Sequence, residues 1–138
     1  MTRDFDAELE ALAALPQNAR MRPYQVEANT AVEQAIRERK RKMLVTMATG
    51  TGKTLVMVNQ TYRLMKSGAA RRVLFFVDRR ALAAQAVRAY ASFEAEPGLK
   101  FDRIYPVYSP WIHRFGFWGW AAERLMVSAE RCECVMWW

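Results

Sequence analysis

Lys53 and Thr54, preceded by Gly50 and Gly52 with one residue between them, are the residues whose types and spacing most clearly carry chemistry. A lysine beside a hydroxyl, directly after two close glycines and at the start of a helical pattern, suits a polyanion. The backbone N–H groups of Thr49 to Thr54 are expected to point inward at a phosphate, where a helix dipole also favours negative charge. Glycine at 50 and 52 removes Cβ atoms that would meet phosphate oxygens and permits positive φ. In such a loop Lys53 reaches the β- and γ-phosphates of a nucleotide and the Thr54 hydroxyl ligates Mg²⁺. The general pattern has glycine where this chain has Met47. Thr49, Gly50, Thr51, Gly52, Lys53 and Thr54 are thus the candidate nucleotide-binding residues, with Lys53 the catalytic candidate and Thr54 the metal ligand.

Such a loop needs a strand before it and a helix after it. Met43–Met47 is uncharged and apolar apart from Thr46, which predicts a strand buried on both faces of a parallel sheet. After the loop, Leu55, Val58, Tyr62 and Met65 share a helical face, and Ser67-Gly68 stops it. Upstream, Phe5, Leu9 and Leu12 predict an amphipathic helix over 3–15, ended by Pro16. Pro23 is placed to begin another, whose buried face would be Tyr24, Ala28, Val32 and Ile36. That helix ends in Arg37-Glu-Arg-Lys-Arg-Lys42, read as a solvated helix end suited to the carbonyl dipole rather than as a DNA-phosphate contact.

Downstream, Val73–Val77 predicts a second strand, running into Asp78, Arg79 and Arg80. A helix with Leu82, Ala86, Tyr90 and Phe93 on one face follows and closes before Pro97-Gly98. Residues 101–109, interrupted by Pro106, have the composition of a third strand. This alternation predicts an α/β fold, a P-loop, RecA-like parallel sheet with right-handed crossovers. With at most three strands, the sheet is expected to be incomplete and to leave an apolar strand such as Val73–Val77 with an uncovered edge.

Composition narrows the setting. The 138 residues carry a net charge of +7, and residues 1–110 hold 18 Lys/Arg against 11 Asp/Glu. The last 28 residues hold three of each, so the basic excess lies with the phosphate loop. Nucleic-acid binding, nucleotide binding and solubility all suit such a balance. No apolar segment approaches the roughly 18 residues of a membrane span, and the acidic start (Asp4, Asp6, Glu8, Glu10) does not suit a signal peptide. Cys132 and Cys134, one residue apart and with His113 the only histidine, make neither an ordinary disulfide nor a zinc site. The expected compartment is the cytoplasm. All five tryptophans lie after Ser109, and in Trp111–Trp120 neither a period of two nor of 3.6 fits. The expected organisation is an N-terminal helix and linker over 1–20, a partial RecA-like domain over 21–109, and an aromatic tail over 110–138 that does not belong to that fold.

Three motifs in order, Arg22-Pro-Tyr-Gln25, Met47-Ala-Thr-Gly-Thr-Gly-Lys-Thr54 and Val73-Leu-Phe-Phe-Val-Asp-Arg79 with Leu82 and Gln85, resemble the first motor domain of a superfamily 2 helicase. More narrowly, they resemble the restriction (R) subunit of type I restriction–modification enzymes, in which methionine at the position of Met47 is ordinary. The resemblance implies ATP and Mg²⁺ as cofactors, translocation along double-stranded DNA, and modification and specificity subunits as partners. It makes Gln25 the adenine reader, which suits a primary amide that accepts from N6 while donating to N7. Tyr24 would cover the base or pack in the core. By the same resemblance Arg79 and Arg80 run toward the DNA backbone.

Two rival readings stay open. Asp78, at a strand end, could hold Mg²⁺ in a small stand-alone P-loop NTPase or kinase, although the residues after it are arginines and no Asp–Glu pair exists in the chain. A non-catalytic nucleic-acid-binding fragment would use the 37–42 basic run and the tryptophans. The R subunits carry a nuclease before the Arg-Pro-Tyr-Gln motif, an Asp–Glu motif and a second motor domain after it. Against them, this sequence is expected to be a truncated member, inactive by itself.

Overall fold

The computed structural model describes residues 4–77, 79–108, 123–128 and 135–137. The chain divides into two compact units, Met1–Ala69 and Ala70–Trp138.

The first unit is three helices. Helix α1 (Phe5–Ala14) opens on Asp4, whose Oδ1 accepts from the Ala7 N–H at 3.1 Å, and it buries Leu9 and Leu12 as expected. Helix α2 (Pro23–Arg37) begins at Pro23, whose missing N–H is no loss at a first helical position. Helix α3 (Lys53–Lys66) stops at Ser67, and Gly68 follows with φ 83°.

The packing of α2 departs from its apolar periodicity. Tyr24 is 39% exposed and Ala28, Val32 and Ile36 are half-buried, whereas Gln25 and Asn29 are buried. With Glu33, these form a row four residues apart, one residue round from the expected face. Helix α3, which packs against α2, buries Asn59, Gln60, Thr61 and Arg63 along with Val56, Val58, Leu64 and Met65, while Leu55 and Tyr62 are half-buried. Polar residues of the two helices meet each other, so the buried seam is not the apolar stripe.

Arg63 is the centre of that seam. It is 2% exposed, and its Nε and Nη2 donate to Glu33 Oε1 and Oε2 at 2.6 and 3.2 Å. Nη1 donates to the carbonyls of Leu15 and Pro16, and Nη2 also to that of Leu12. Each of the five guanidinium N–H groups therefore has an acceptor. Leu12 and Leu15 lie at the end of α1, where the Leu12 carbonyl also accepts from the Leu15 N–H at 3.3 Å.

The basic run is largely engaged within the chain. Arg39 sits just past α2 with φ 61°, while its N–H donates to Ile36 O and that of Lys40 to Ala35 O. This is a Schellman ending with arginine where glycine is usual. The Arg39 guanidinium pairs with Asp6 at 2.6 Å and lies 4.4 Å over the Phe5 ring. Lys40 pairs with Glu38 and, with Gln34, holds its carboxyl below the usual carboxylate range. Arg41 and Lys42 are exposed. Arg39→Ala and Arg39→Gly both lose the Asp6 and Phe5 contacts and differ in the strain of a left-handed residue. The glycine variant is expected to be the more stable by about 1 kcal/mol in urea unfolding; equal stabilities would remove the strain.

Met43–Met47 forms no strand. Leu44 is 91% exposed and Met43 42%, so the expected strand buried on both faces is corrected. A strand needs a hydrogen-bonded neighbour, and none pairs with 43–47 among the described residues.

The second unit is built on β1 (Arg72–Val77), where Val73, Phe75 and Val77 are buried on one side. Helix α4 (Arg80–Ser92) lies against β1. It buries Ala83, Ala86 and Tyr90, with Phe93 buried just after its end; Leu82, expected in that set, is 43% exposed. Next come β2 (Glu94–Glu96) and β3 (Leu99–Lys100), an antiparallel pair turned at Pro97-Gly98. Where a third strand was expected there is a short helix, α5 (Phe101–Ile104), then β4 (Val107–Tyr108). Phe101 is buried edge-on to Tyr90, with ring centroids 4.9 Å apart.

Strands β5 (Glu123–Ser128) and β6 (Val135–Trp137) complete a four-stranded sheet in the order β4-β5-β1-β6. Strand β5 is antiparallel to both β4 and β1, and β6 is parallel to β1. The α/β class holds, but the described sheet has one parallel pairing and two antiparallel ones. Both edges of β1 are paired, which corrects the expected uncovered edge. The rest of the aromatic tail lies outside the described residues.

Candidate phosphate loop

Gly50 and Gly52 have φ of 77° and 80°, the left-handed backbone that their residue type permits. Gly52 is the residue before α3, and Val56 N–H donates to its carbonyl at 3.1 Å to start the helix. No side chain caps the N-terminus of α3 and no acidic residue lies in its first turn. Lys53 and Thr54 open the helix, half-buried; Thr49 is exposed and Thr51 half-buried. The Thr51 N–H turns back to Ala48 O at 3.4 Å, and its hydroxyl donates to the same carbonyl at 2.6 Å. The Thr51 amide is therefore turned toward the loop itself, which corrects the expectation that every N–H from Thr49 to Thr54 faces inward. The N–H groups of Gly50, Gly52 and Thr54 have no hydrogen-bond partner among the described residues.

Gln25 is brought to this loop by α2. Its Oε1 accepts from the Arg22 N–H at 2.9 Å, and its Nε2 donates to the Thr51 carbonyl at 2.9 Å. One partner is a donor and the other an acceptor, which fixes the orientation of the amide. The Tyr24 hydroxyl donates to the same carbonyl at 3.1 Å. Tyr24 was expected over a base or in the core; its contact with the loop was missed, though its place directly before Gln25 could have pointed to it. The fit at Gly52 is close, since a Cβ there would lie 2.5 Å from Gln25 Nε2. At Gly50 a Cβ would meet nothing within 4 Å, so the loop has open space on that side.

The other candidates are not brought to the loop within this unit. Arg79 and Arg80 belong to the second unit, where Arg79 is exposed before α4 and Arg80 is its first residue. Asp78 lies outside the described residues. Among the described residues no group of three or more His, Cys, Asp or Glu could hold a metal. Nor is any helix among them long and apolar enough to cross a membrane.

Residues 18–106 match the family described as "Type III restriction enzyme, res subunit". The chain belongs to that family. Its members carry a helicase-type domain of the P-loop, RecA-like kind. The chain is also 46% identical over 87 residues to the type I restriction enzyme EcoKI endonuclease subunit of Escherichia coli (strain K12), 63% of this chain and 7% of that protein. Over 64 residues it is 39% identical to the EcoAI endonuclease subunit of Escherichia coli, 46% of this chain and 8% of that relative. The chain thus matches less than a tenth of either relative's length. No match was found among solved structures. The resemblance of the three motifs to restriction R subunits is borne out, and the family match spans all three.

Proposed function

We propose that residues 49–54 bind Mg·ATP, as the nucleotide-binding part of a helicase-type motor of a type I restriction R subunit. The observation that carries this reading is the loop itself: two left-handed glycines lead into an uncapped helix N-terminus, inside the stretch that matches the family. The N–H groups of Gly50, Gly52 and Thr54 provide donors for phosphate oxygens, and the open side of Gly50 provides room. Lys53 would neutralise charge on the β- and γ-phosphates, and Thr54 would supply a hydroxyl to Mg²⁺. Gln25 keeps one N–H and one lone pair beyond its bonds to Thr51 and Arg22, the pair that adenine N7 and N6 require.

Lys53→Ala is expected to weaken Mg·ATP binding strongly in a titration with a fluorescent analogue, and Gln25→Ala to narrow the gap between ATP and GTP. Equal affinities for ATP and GTP in the unmutated protein would sink the adenine assignment. Turnover needs an acid to place the attacking water, and the 138 residues hold no Asp–Glu pair. The chain alone is therefore expected to bind without hydrolysing; Lys53-dependent hydrolysis near one per second would favour a stand-alone NTPase instead.

The proposed partners are double-stranded DNA and the modification and specificity subunits of a restriction–modification complex, in the cytoplasm. DNA binding by this chain is expected to be weak, sequence-independent and steep in salt. Replacing Arg79 and Arg80 together should lower the salt slope by roughly two phosphate contacts' worth. An unchanged slope would take those arginines out of the interface.

A further inference from the structure

The Thr51 carbonyl receives two side-chain donors from adjacent positions of α2, the Gln25 amide at 2.9 Å and the Tyr24 hydroxyl at 3.1 Å. Thr51 precedes the N-cap Gly52, whose carbonyl takes the first bond of α3 from Val56 N–H, so the helix leaves the Thr51 carbonyl unused. Here it is drawn outward, toward the start of α2. All described peptide bonds are trans, and in a planar trans peptide the C=O and the following N–H point in opposite directions. Holding Thr51 O toward Tyr24 and Gln25 therefore turns the Gly52 N–H away from them. That N–H has no partner among the described residues and is one of the donors proposed above for phosphate oxygens.

A second observation agrees. Gly52 approaches Gln25 so closely that a Cβ would lie 2.5 Å from its Nε2, so the loop is seated against α2 rather than loosely beside it. Tyr24 itself is 39% exposed, and its ring is not what α2 buries.

We propose that Tyr24 is a positioning residue of the phosphate loop: its hydroxyl, together with the Gln25 amide, holds the Thr51 carbonyl and so aims the Gly52 N–H at bound phosphate. This rests on the nucleotide-binding reading above. It differs from a base-covering role in what the hydroxyl does, since a phenyl ring covers a base as well as a phenol does.

The test is Tyr24→Phe, with Tyr24→Ala beside it, titrated with Mg·ATP, Mg·GTP and inorganic triphosphate. Tyr24→Phe is expected to weaken all three by about the same factor, roughly three- to tenfold, the worth of one neutral hydrogen bond. The Gly52 amide resonance should move in the same variant while those of α1 stay in place. Unchanged affinities in Tyr24→Phe, with ATP but not triphosphate weakened in Tyr24→Ala, would make Tyr24 a base cover and overturn the proposal. An unmoved Gly52 resonance would overturn it as well, whatever the ligands do. If the unmutated protein binds none of the three ligands, the nucleotide reading falls and the phosphate half of this proposal with it. A Gly52 shift in Tyr24→Phe would then show that the carbonyl strut exists without that use.

Discussion

Replacing Arg63 with alanine is expected to destabilise the first unit by about 3–5 kcal/mol, the usual cost of removing one partner of a buried ion pair. The loss has two parts. Glu33, with a side chain only 12% exposed, would lose its bidentate partner. The carbonyls of Leu12, Leu15 and Pro16 would lose their guanidinium donors, and of the three Leu12 O would keep the Leu15 N–H. Since whole domains are stable by only about 5–15 kcal/mol, the variant should be largely unfolded at modest urea. Adding Glu33→Leu should recover only part of the loss, because removing the carboxylate restores no donor to the three carbonyls. Arg63→Lys should fall between, as an ammonium has three donors and no planar fork. Urea unfolding followed by far-ultraviolet circular dichroism orders these variants. A shift below about 1 kcal/mol for Arg63→Ala would mean that the network does not hold the helices together.

Arg63 also shows where the sequence stopped being legible. Helix limits were readable because Pro16, Pro23 and Ser67-Gly68 act on their own backbone, whatever surrounds them. Burial was less readable, because it depends on the facing element. A lone arginine near a helix C-terminus has the look of a dipole partner in solvent, and nothing in its neighbours announces Glu33 thirty residues earlier. The same blindness rotated α2: periodicity weights Tyr24, Ala28, Val32 and Ile36, but α3 presents Asn59, Gln60 and Arg63. Glu33, on the polar row of α2, meets Gln60 and Arg63.

Strands depend on partners even more. Residues 43–47 have a strand's composition, yet both edges of β1 are taken by β5 and β6, from a tail in which no strand was expected. The phosphate loop was legible because its requirements are local. Two glycines at positive φ, then Lys53 and Thr54 at a helix start, need no distant partner to be recognised. Its contact with α2 was not legible, since the motif marked Gln25 for adenine and Tyr24 for a base or the core, and neither for the Thr51 carbonyl.

The two loop glycines should respond unequally to alanine. Both have left-handed φ, so each substitution carries about 1–2 kcal/mol of backbone strain. At Gly50 that strain is the whole cost, because the added methyl meets nothing within 4 Å. At Gly52 the methyl would lie 2.5 Å from Gln25 Nε2, which must leave the Thr51 carbonyl or push the loop off α2. Gln25 is buried and already tied to the Arg22 N–H, so it has little freedom to yield. Gly52→Ala is therefore expected to cost about 2–4 kcal/mol, the strain plus one to two buried hydrogen bonds. The interaction is separable in a double-mutant cycle. In a Gln25→Ala background the clash is gone, and the Gly52→Ala penalty should fall to that of Gly50→Ala, a coupling of about 1–2 kcal/mol. Nucleotide affinity should follow the same order, with Gly52→Ala losing more than Gly50→Ala because it displaces the carbonyl that orients the Gly52 N–H. Equal penalties at the two glycines, with no coupling to Gln25, would mean that the loop is not seated on α2 in solution.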